Sequence, residues 1–358
     1  MQADASPVPT RRIRPASSAS RRGAAGRRFR RVLAAIAGAI AIGPAAGVAR
    51  AEDQSTQPVP VAQAQPGPAA APAPVQPLTP APRVNVDGLL GYFEAVAAHA
   101  RATQPHWATP LATNTGLLEE RFRFDIDYQH SGNGTKTTLL DNGKGLDIIV
   151  ADTEEVQLTL PPYDIRTGVG ASTRKGKPIL PITGFGDWSF FRFKQRLASS
   201  PEGEGDYVVS ALLQVQAPTG IEALTSNAWT YLPTLAFGKG WGPFDIQTAI
   251  TGVIPASHTN TLGHQIQTNV TFQYQLWKIF WPEVEMNWTY WADGARGGLS
   301  QVYVTPGLVV GRLRLSTEHF IGLTFGVGYQ VAVAPTYRPK PLTPGYNHAV
   351  IFSSRLNF

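Results

Sequence analysis

RFRFDIDYQH, residues Arg121 to His130, alternates without a slip. Phe122, Phe124, Ile126 and Tyr128 share one face, with Arg121, Arg123, Asp125, Asp127 and Gln129 on the other. A period of two is the signature of a β-strand. The contrast between its faces says more than the period does. One face is wholly apolar and the other carries four formal charges, so the sheet must divide water from something dry.

The pattern recurs towards the C-terminus. Ile266, Val270, Phe272, Tyr274 and Leu276 oppose Gln265, Gln267, Asn269, Thr271, Gln273 and Gln275. Val284, Met286, Trp288 and Tyr290 alternate with Glu283, Glu285, Asn287 and Thr289. Ile321, Leu323, Phe325, Val327, Tyr329, Val331 and Val333 face away from Gly322, Thr324, Gly326, Gly328 and Gln330. The last segment puts Val350, Phe352, Ser354, Leu356 and Phe358 on one face, against Ile351, Ser353, Arg355 and Asn357. A terminal aromatic closing an alternating strand is how the last strand of an outer-membrane barrel reads.

Candidate strands fall at about 117–130, 137–150, 154–164, 185–198, 206–217, 227–238, 243–255, 263–278, 281–292, 299–311, 318–333 and 346–358. Twelve is an even number, and each segment is near or above the roughly 10 residues that a tilted membrane-spanning strand needs. Short turns near 151–153, 239–242, 279–280 and 312–314 alternate with longer polar links at 166–184, 218–226, 256–262 and 335–345. With both ends periplasmic, the short connections face the periplasm and the long ones the exterior; 199–205 is long for a periplasmic turn. The division of 137–164 into two strands is the weakest, since ten or fourteen strands would also close. The fold expected is all-β: a transmembrane antiparallel up-and-down β-barrel of about twelve strands with a short N-terminal helix. A soluble sandwich or closed barrel with an aromatic core gives the same alternation. The export signal, the absence of Cys, the loop asymmetry and the terminal Phe358 favour the membrane.

Residues 1–51 read as a cleaved export signal. Nine Arg between Arg11 and Arg31 precede an apolar run, Val32 to Val48, and a small-x-small site at Ala49-Arg50-Ala51. The run is shorter than the roughly 20 residues of a spanning helix and contains Pro44. Ten of the chain's 31 Lys+Arg and one of its 25 Asp+Glu lie in this segment. The remainder therefore carries 21 basic and 24 acidic residues, so the net charge falls from +6 to −3. The basicity belongs to the leader, and a nucleic-acid partner loses its support. With no Cys, disulfides, thiolate metal sites and Cys nucleophiles are excluded.

Residues 52–83 hold nine Pro and read as a disordered Pro/Ala/Gln-rich tether. Residues 84–116 form a periplasmic helical segment or plug: Val86, Leu89, Leu90, Phe93, Val96, Ala97 and Ala100 recur at helical spacing over 86–103. The helix could dock at the barrel mouth, plug the lumen or bind a partner. The barrel proper occupies 117–358.

Asn227 to Pro255 (beginning NAWTYLPTLAFGKGWGPFDIQ) and Gln265 to Trp288 (QIQTNVTFQYQLWKIFWPEVEMNW) resemble a family of proteobacterial outer-membrane barrels. Its members are labelled transporters or proteins of the MetA pathway of phenol degradation. The resemblance runs from about His106-Trp107-Ala108-Thr109-Pro110-Leu111 to Phe358 and rests on strand and turn residues. It implies an outer-membrane barrel and a small aromatic or hydrophobic permeant.

The chemistry points away from catalysis. His99, His106, His130, His258, His264, His319 and His348 have no nucleophile motif beside them and no metal-ligand spacing. No catalytic residue, cofactor or metal is expected. The charges on the polar face carry more information. Arg121, Arg123, Asp125, Asp127, Arg192, Lys194, Arg196, Glu283, Glu285 and Arg355 are the expected pore-lining residues. Opposed rows of charge would set a transverse field for polar solutes, or would pair simply to fill a narrow barrel. Trp188 and Phe190 break the polar frame and offer an apolar contact for substrate. Gly322, Gly326 and Gly328 either bend the sheet or admit a plug or permeant. Trp229, Trp277, Trp281, Trp288 and Phe358 are the expected interface aromatics. Partners would be membrane lipids and, through the last strand, the barrel-assembly machinery. The function expected is passive uptake of small molecules across the outer membrane, or a structural, partner-binding barrel without an open pore.

Overall fold

The computed structural model describes residues 86–168, 173–174, 177–178, 181–315, 321–334 and 345–358. The expected export signal, the tether, His319 and parts of the links at 166–184 and 335–345 lie outside them. Helix α1 (Val86–Ala102) leads into a closed antiparallel barrel of twelve strands. They are β1 (Arg121–His130), β2 (Lys136–Leu140 continuing as Gly145–Ala151), β3 (Glu154–Thr159 and Tyr163–Thr167) and β4 (Ile182–Phe185 and Trp188–Ser200). Then come β5 (Tyr207–Ala217), β6 (Thr230–Trp241), β7 (Phe244–Pro255) and β8 (Gln265–Tyr274), with a one-turn helix α2 (Thr259–Leu262) before β8. The set ends with β9 (Phe280–Trp291), β10 (Ser300–Arg314), β11 (Gly322–Ala334) and β12 (His348–Asn357). Each strand pairs with its sequence neighbour, and β1 closes the ring on β12 in register from Arg121↔Asn357 to His130↔His348. Closure leaves no unpaired edge.

Three adjacent strands are broken at one level, and local sequence explains each break. In β2 the turn residues Asp141-Asn-Gly-Lys144 include Asp141 at φ 53° and Gly143 at φ 69°. In β3, Pro161 and Pro162 cannot donate to a ladder. In β4, Gly186-Asp187 interrupt the strand. Single backbone bonds bridge the gap: Asp141 N to Asp125 O at 2.8 Å, Leu160 N to Lys144 O at 2.8 Å and Gly186 N to Pro162 O at 2.8 Å. The chain end of β10 also differs from expectation. The strand continues to Arg314 through a bulge at Arg312 instead of turning at 312–314.

The polarity of the wall is inverted relative to a soluble protein. Outward-facing Phe352, Phe325 and Val284 are 52%, 47% and 47% exposed, while inward-facing Arg123 and Glu285 are 2% and 0% exposed. An apolar exterior around a charged interior is stable against lipid and costly against water. No described helix is long and apolar enough to cross a membrane.

Helix α1 docks at the end of the barrel that carries the C-terminus. Val96, Ala97 and Ala100 pack on Leu118 and on Ile149 of β2. Its last carbonyls, which lack intrahelical partners, are met by side chains from the wall: Arg196 Nη1 donates to Ala100 O at 2.9 Å. Arg101 Nη1 donates to Glu120 at 3.3 Å and to Phe358 O at 3.1 Å, tying the helix to both strands at one end of the β1–β12 seam.

Candidate functional site

The lumen holds the site, and residues 103–120 decide its character. This stretch (TQPHWATPLATNTGLLEE) enters the barrel beneath α1, reaches Thr113–Thr115 and returns to β1. Gln104 closes the loop on itself, donating to Leu118 O at 2.8 Å and accepting from Leu118 N at 2.9 Å. The lumen therefore contains a plug, formed by the irregular segment after the helix.

Two chemically opposite walls hold it. On one side its backbone N–H groups meet carboxylates of β9. Ala112 N and Thr113 N donate to Glu285 at 2.7 Å each, and Leu111 N donates to Glu283 at 3.2 Å. Thr113 Oγ1 adds a bond to Glu285 at 2.6 Å. On the other side its carbonyls meet cations. Arg355 Nη2 and Arg123 Nη1 donate to Pro110 O at 3.0 and 3.2 Å, and Lys194 Nζ donates to Leu117 O at 2.7 Å. Arg123 also reaches Leu111 O at 2.5 Å. Hydrogen bonds to ionised groups are the stronger kind, and none of these buried charges would be tolerated without partners.

Shape adds to the polar grip. Leu111, 2% exposed, fills a notch made by three glycines of β10 and β11. A methyl group added at Gly307, Gly326 or Gly328 would come within 2.7, 2.5 or 2.7 Å of its Cδ atoms. Of the two roles open to the β11 glycines, admitting a plug is the one Gly326 and Gly328 display, whereas Gly322 meets only the backbone of β10. Trp107 fits against Gly238 in the same manner, and Trp107, Leu111, Leu117, Val208, Trp281 and Val309 form one apolar cluster.

The ten charged residues expected to line the pore are all on the inward side. Arg121 pairs with Glu119 at 2.6 Å and with Asp147 at 2.8 Å. Arg123 pairs with Asp125 at 2.7 Å, and Lys194 with Glu155 at 2.8 Å. Arg192 donates through Nε to Gln214 at 2.9 Å, Asp127 accepts from Asn142 at 3.2 Å, and Arg196 is spent on the helix end. Arg121, Arg123, Asp125, Lys194, Arg196, Glu283, Glu285 and Arg355 are each no more than 5% exposed, so they line the plug more than they line open space.

The interface aromatics divide. Trp277 is 80% exposed in the β8–β9 turn, Trp229 is exposed at the other end, and Phe358 is exposed beside β1. Trp288 faces outward and stacks on Tyr290 at 6.1 Å. Trp281 corrects the expectation. It is 6% exposed and belongs to the apolar cluster inside the barrel, because it shares the phase of Glu283 and Glu285. Trp188 and Phe190 meet edge to face at 6.0 Å, and Phe190 meets the exposed Trp229 at 6.1 Å. The pair thus belongs to an aromatic cluster with an interface residue.

Two spaces flank the plug. At the end opposite the C-terminus, a vestibule of about 500 Å³ opens between the strand breaks and the 218–229 link, lined by Asn142, Pro162, Asp187, Ser226, Thr230 and Gln265. Asp187 fixes that link by accepting from Gly220 N at 3.2 Å and Ser226 N at 2.7 Å. At the C-terminal end a cavity of about 160 Å³ lies between the plug and β9–β12. Outside the strands, Glu202 latches the plug by accepting from the backbone N and, at 2.8 Å, from Nδ1 of His106. Partial burial pushes the Glu202 carboxyl up, but its bonds from His106 outweigh this and hold it below its ordinary value.

The other histidines occupy peripheral places. His130 and His348 stack at 4.8 Å across the β1–β12 seam, and His264 binds Asp293 at 2.8 Å. His258 lies 3.1 Å from its neighbour Ser257. Among the described residues no group of three or more His, Asp or Glu could hold a metal.

No family model matches the chain, and no curated protein matches it. Solved structures similar to it include the COG4313 outer membrane channel from Pseudomonas putida F1, 14% identical with a TM-score of 0.47, covering 70% of this chain and 100% of that one. The NanC porin is 9% identical with a TM-score of 0.40, covering 66% of this chain and 98% of that one. The KdgM porin is 8% identical with a TM-score of 0.36, covering 66% and 99%. Likenesses this distant transfer no substrate and no residue role.

Proposed function

We propose that the protein is a plugged channel of the Gram-negative outer membrane for passive uptake of small molecules. The observation that carries this reading is the plug's mode of attachment. It is held in a charged lumen by hydrogen bonds to its backbone, with a vestibule on one side and a cavity on the other. A barrel needing only stability could fill its interior with side chains from its own wall. Here a separate segment fills it, and such bonds can exchange with water when the segment shifts. The C-terminal end, with its shorter turns, is assigned to the periplasm and the vestibule to the exterior. Residues 1–51 act in this reading as the cleaved export signal, and β12 with Phe358 as the segment met by the barrel-assembly machinery. Aromatic or hydrophobic permeants are suggested by the family resemblance of 227–255 and 265–288, and solute would move down its gradient without ATP.

Uptake tests this directly. A strain lacking the protein should take up a panel of aromatic and aliphatic compounds more slowly for at least one class, with restoration by the full chain. Equal uptake of every compound with and without the protein would reject the transport reading and favour a structural barrel.

A further inference from the structure

We propose that the periplasmic cavity is a binding site for a compact one-ring carboxylate, held by Arg312 and Lys278 against the wall formed by Trp281. The inference deepens the channel reading and rests on it for the solute's route, though not for its binding.

The cavity's charge is unbalanced. Its cations include Arg121, Lys278, Arg312 and Arg355, and its one carboxylate is Glu119. Glu119 is already engaged by Arg121 at 2.6 Å and by Thr109. Arg121 is in turn neutralised by Glu119 and Asp147. Arg355 spends its donors on the neutral carbonyls of Thr109 and Pro110 and on Ser353, and forms no direct ion pair with the described residues. Arg312 and Lys278 make no side-chain hydrogen bond or ion pair with the described residues. Four cations and one carboxylate therefore line one small space, leaving it with an excess of positive charge.

Backbone geometry shows how two of them come to face it. Arg312 is the extra residue of a bulge in β10: Gly311 pairs with Thr324 and Leu313 with Leu323, leaving Arg312 unpaired. It stands at φ 40°, in the left-handed region that non-glycine residues adopt at a cost. Bulges of this kind re-aim a side chain, and this one sets the exposed Arg312 at the rim of the cavity. Lys278, at φ 66° beside Trp277 at φ 48° in the β8–β9 hairpin turn, also lines the cavity. Of the seven described non-glycine residues with positive φ, two deliver a cation to the same cavity. Local strain retained at a concave, charged site points to a ligand.

The wall specifies the rest of the ligand. Trp281, Val309, Ala108 and Gly311 supply an apolar side, so the ligand should carry a flat apolar body as well as a charge. A guanidinium matches a carboxylate through paired N–H donors. At about 160 Å³ the space is smaller than the roughly 300–1,000 Å³ of drug-sized sites, which limits the ligand to about one ring.

Calorimetry on the purified full-length protein in detergent tests this, with benzoate, benzyl alcohol, acetate and inorganic phosphate as probes. Benzoate should bind saturably, with benzyl alcohol, acetate and phosphate at least tenfold weaker. Arg312→Gln should weaken benzoate at least tenfold, Arg312→Lys should retain most of the affinity, and Arg314→Gln, outside the cavity, should change nothing. Trp281→Leu should weaken benzoate and leave acetate unaffected. No saturable benzoate binding, or benzoate affinity unchanged by Arg312→Gln, would overturn the proposal. Equal binding of phosphate and benzoate would reject the ring-carboxylate class. Because binding is read without transport, a barrel that binds benzoate but does not conduct would sink the channel reading alone.

Discussion

At the residue scale, Leu111 and Glu285 carry the plug, and they can be tested separately. Leu111→Ala removes a buried side chain whose loss typically costs about 2–5 kcal/mol, and the cost here falls on docking of the 103–120 loop. Gly326→Leu attacks the same contact from the wall by filling the notch that Leu111 occupies. Both variants should speed amide hydrogen exchange at 107–115 while leaving the strands protected; unchanged exchange would show that the notch does not hold the plug. Glu285→Ala leaves the N–H groups of Ala112 and Thr113 without acceptors, at about 1–3 kcal/mol each. It should loosen the plug tip more than Glu283→Ala, which removes one longer backbone bond. Residue identity was partly legible in the sequence. The ten charges fall inward because strict alternation assigns them there. Trp281 shows the limit of reading by proximity: nearness to a turn suggests the interface, whereas its phase with Glu283 assigns it inward, and the phase prevails.

The same contrast holds for elements. Alternation placed all twelve strands, and helical spacing placed α1, because both periods are local properties of the chain. The plug has no period. TPLATNTG shows neither helical nor strand spacing, and its place in the lumen depends on partners that include residues 172 to 246 positions away along the chain. The Arg312 bulge is equally hidden, since one inserted residue leaves the flanking alternation nearly intact. A separate test of the plug concerns its entrance. The Glu202 carboxyl is held below its unfolded value of 4.5 by His106, so its contribution is present above that value and lost as pH falls through the lower folded value. Lowering the pH into that window should raise hydrogen exchange or protease sensitivity around residues 104–108. Glu202→Gln should remove that pH dependence; an acid response of the same size in the variant would assign it to another group.

For the whole molecule, the proposed channel is a barrel of inverted polarity whose conduction would be set by one inserted loop. The fold follows from closure and from an apolar exterior, both visible in the strands. Conduction depends on whether the plug leaves a path, and strand patterns alone do not report that. The decisive measurement is single-channel conductance in planar bilayers, comparing the full chain with a variant lacking residues 84–116. The full chain should give small or infrequent openings, and the deletion a large, steady conductance. Silence from both proteins, or identical conductance from both, would contradict a channel closed by this plug.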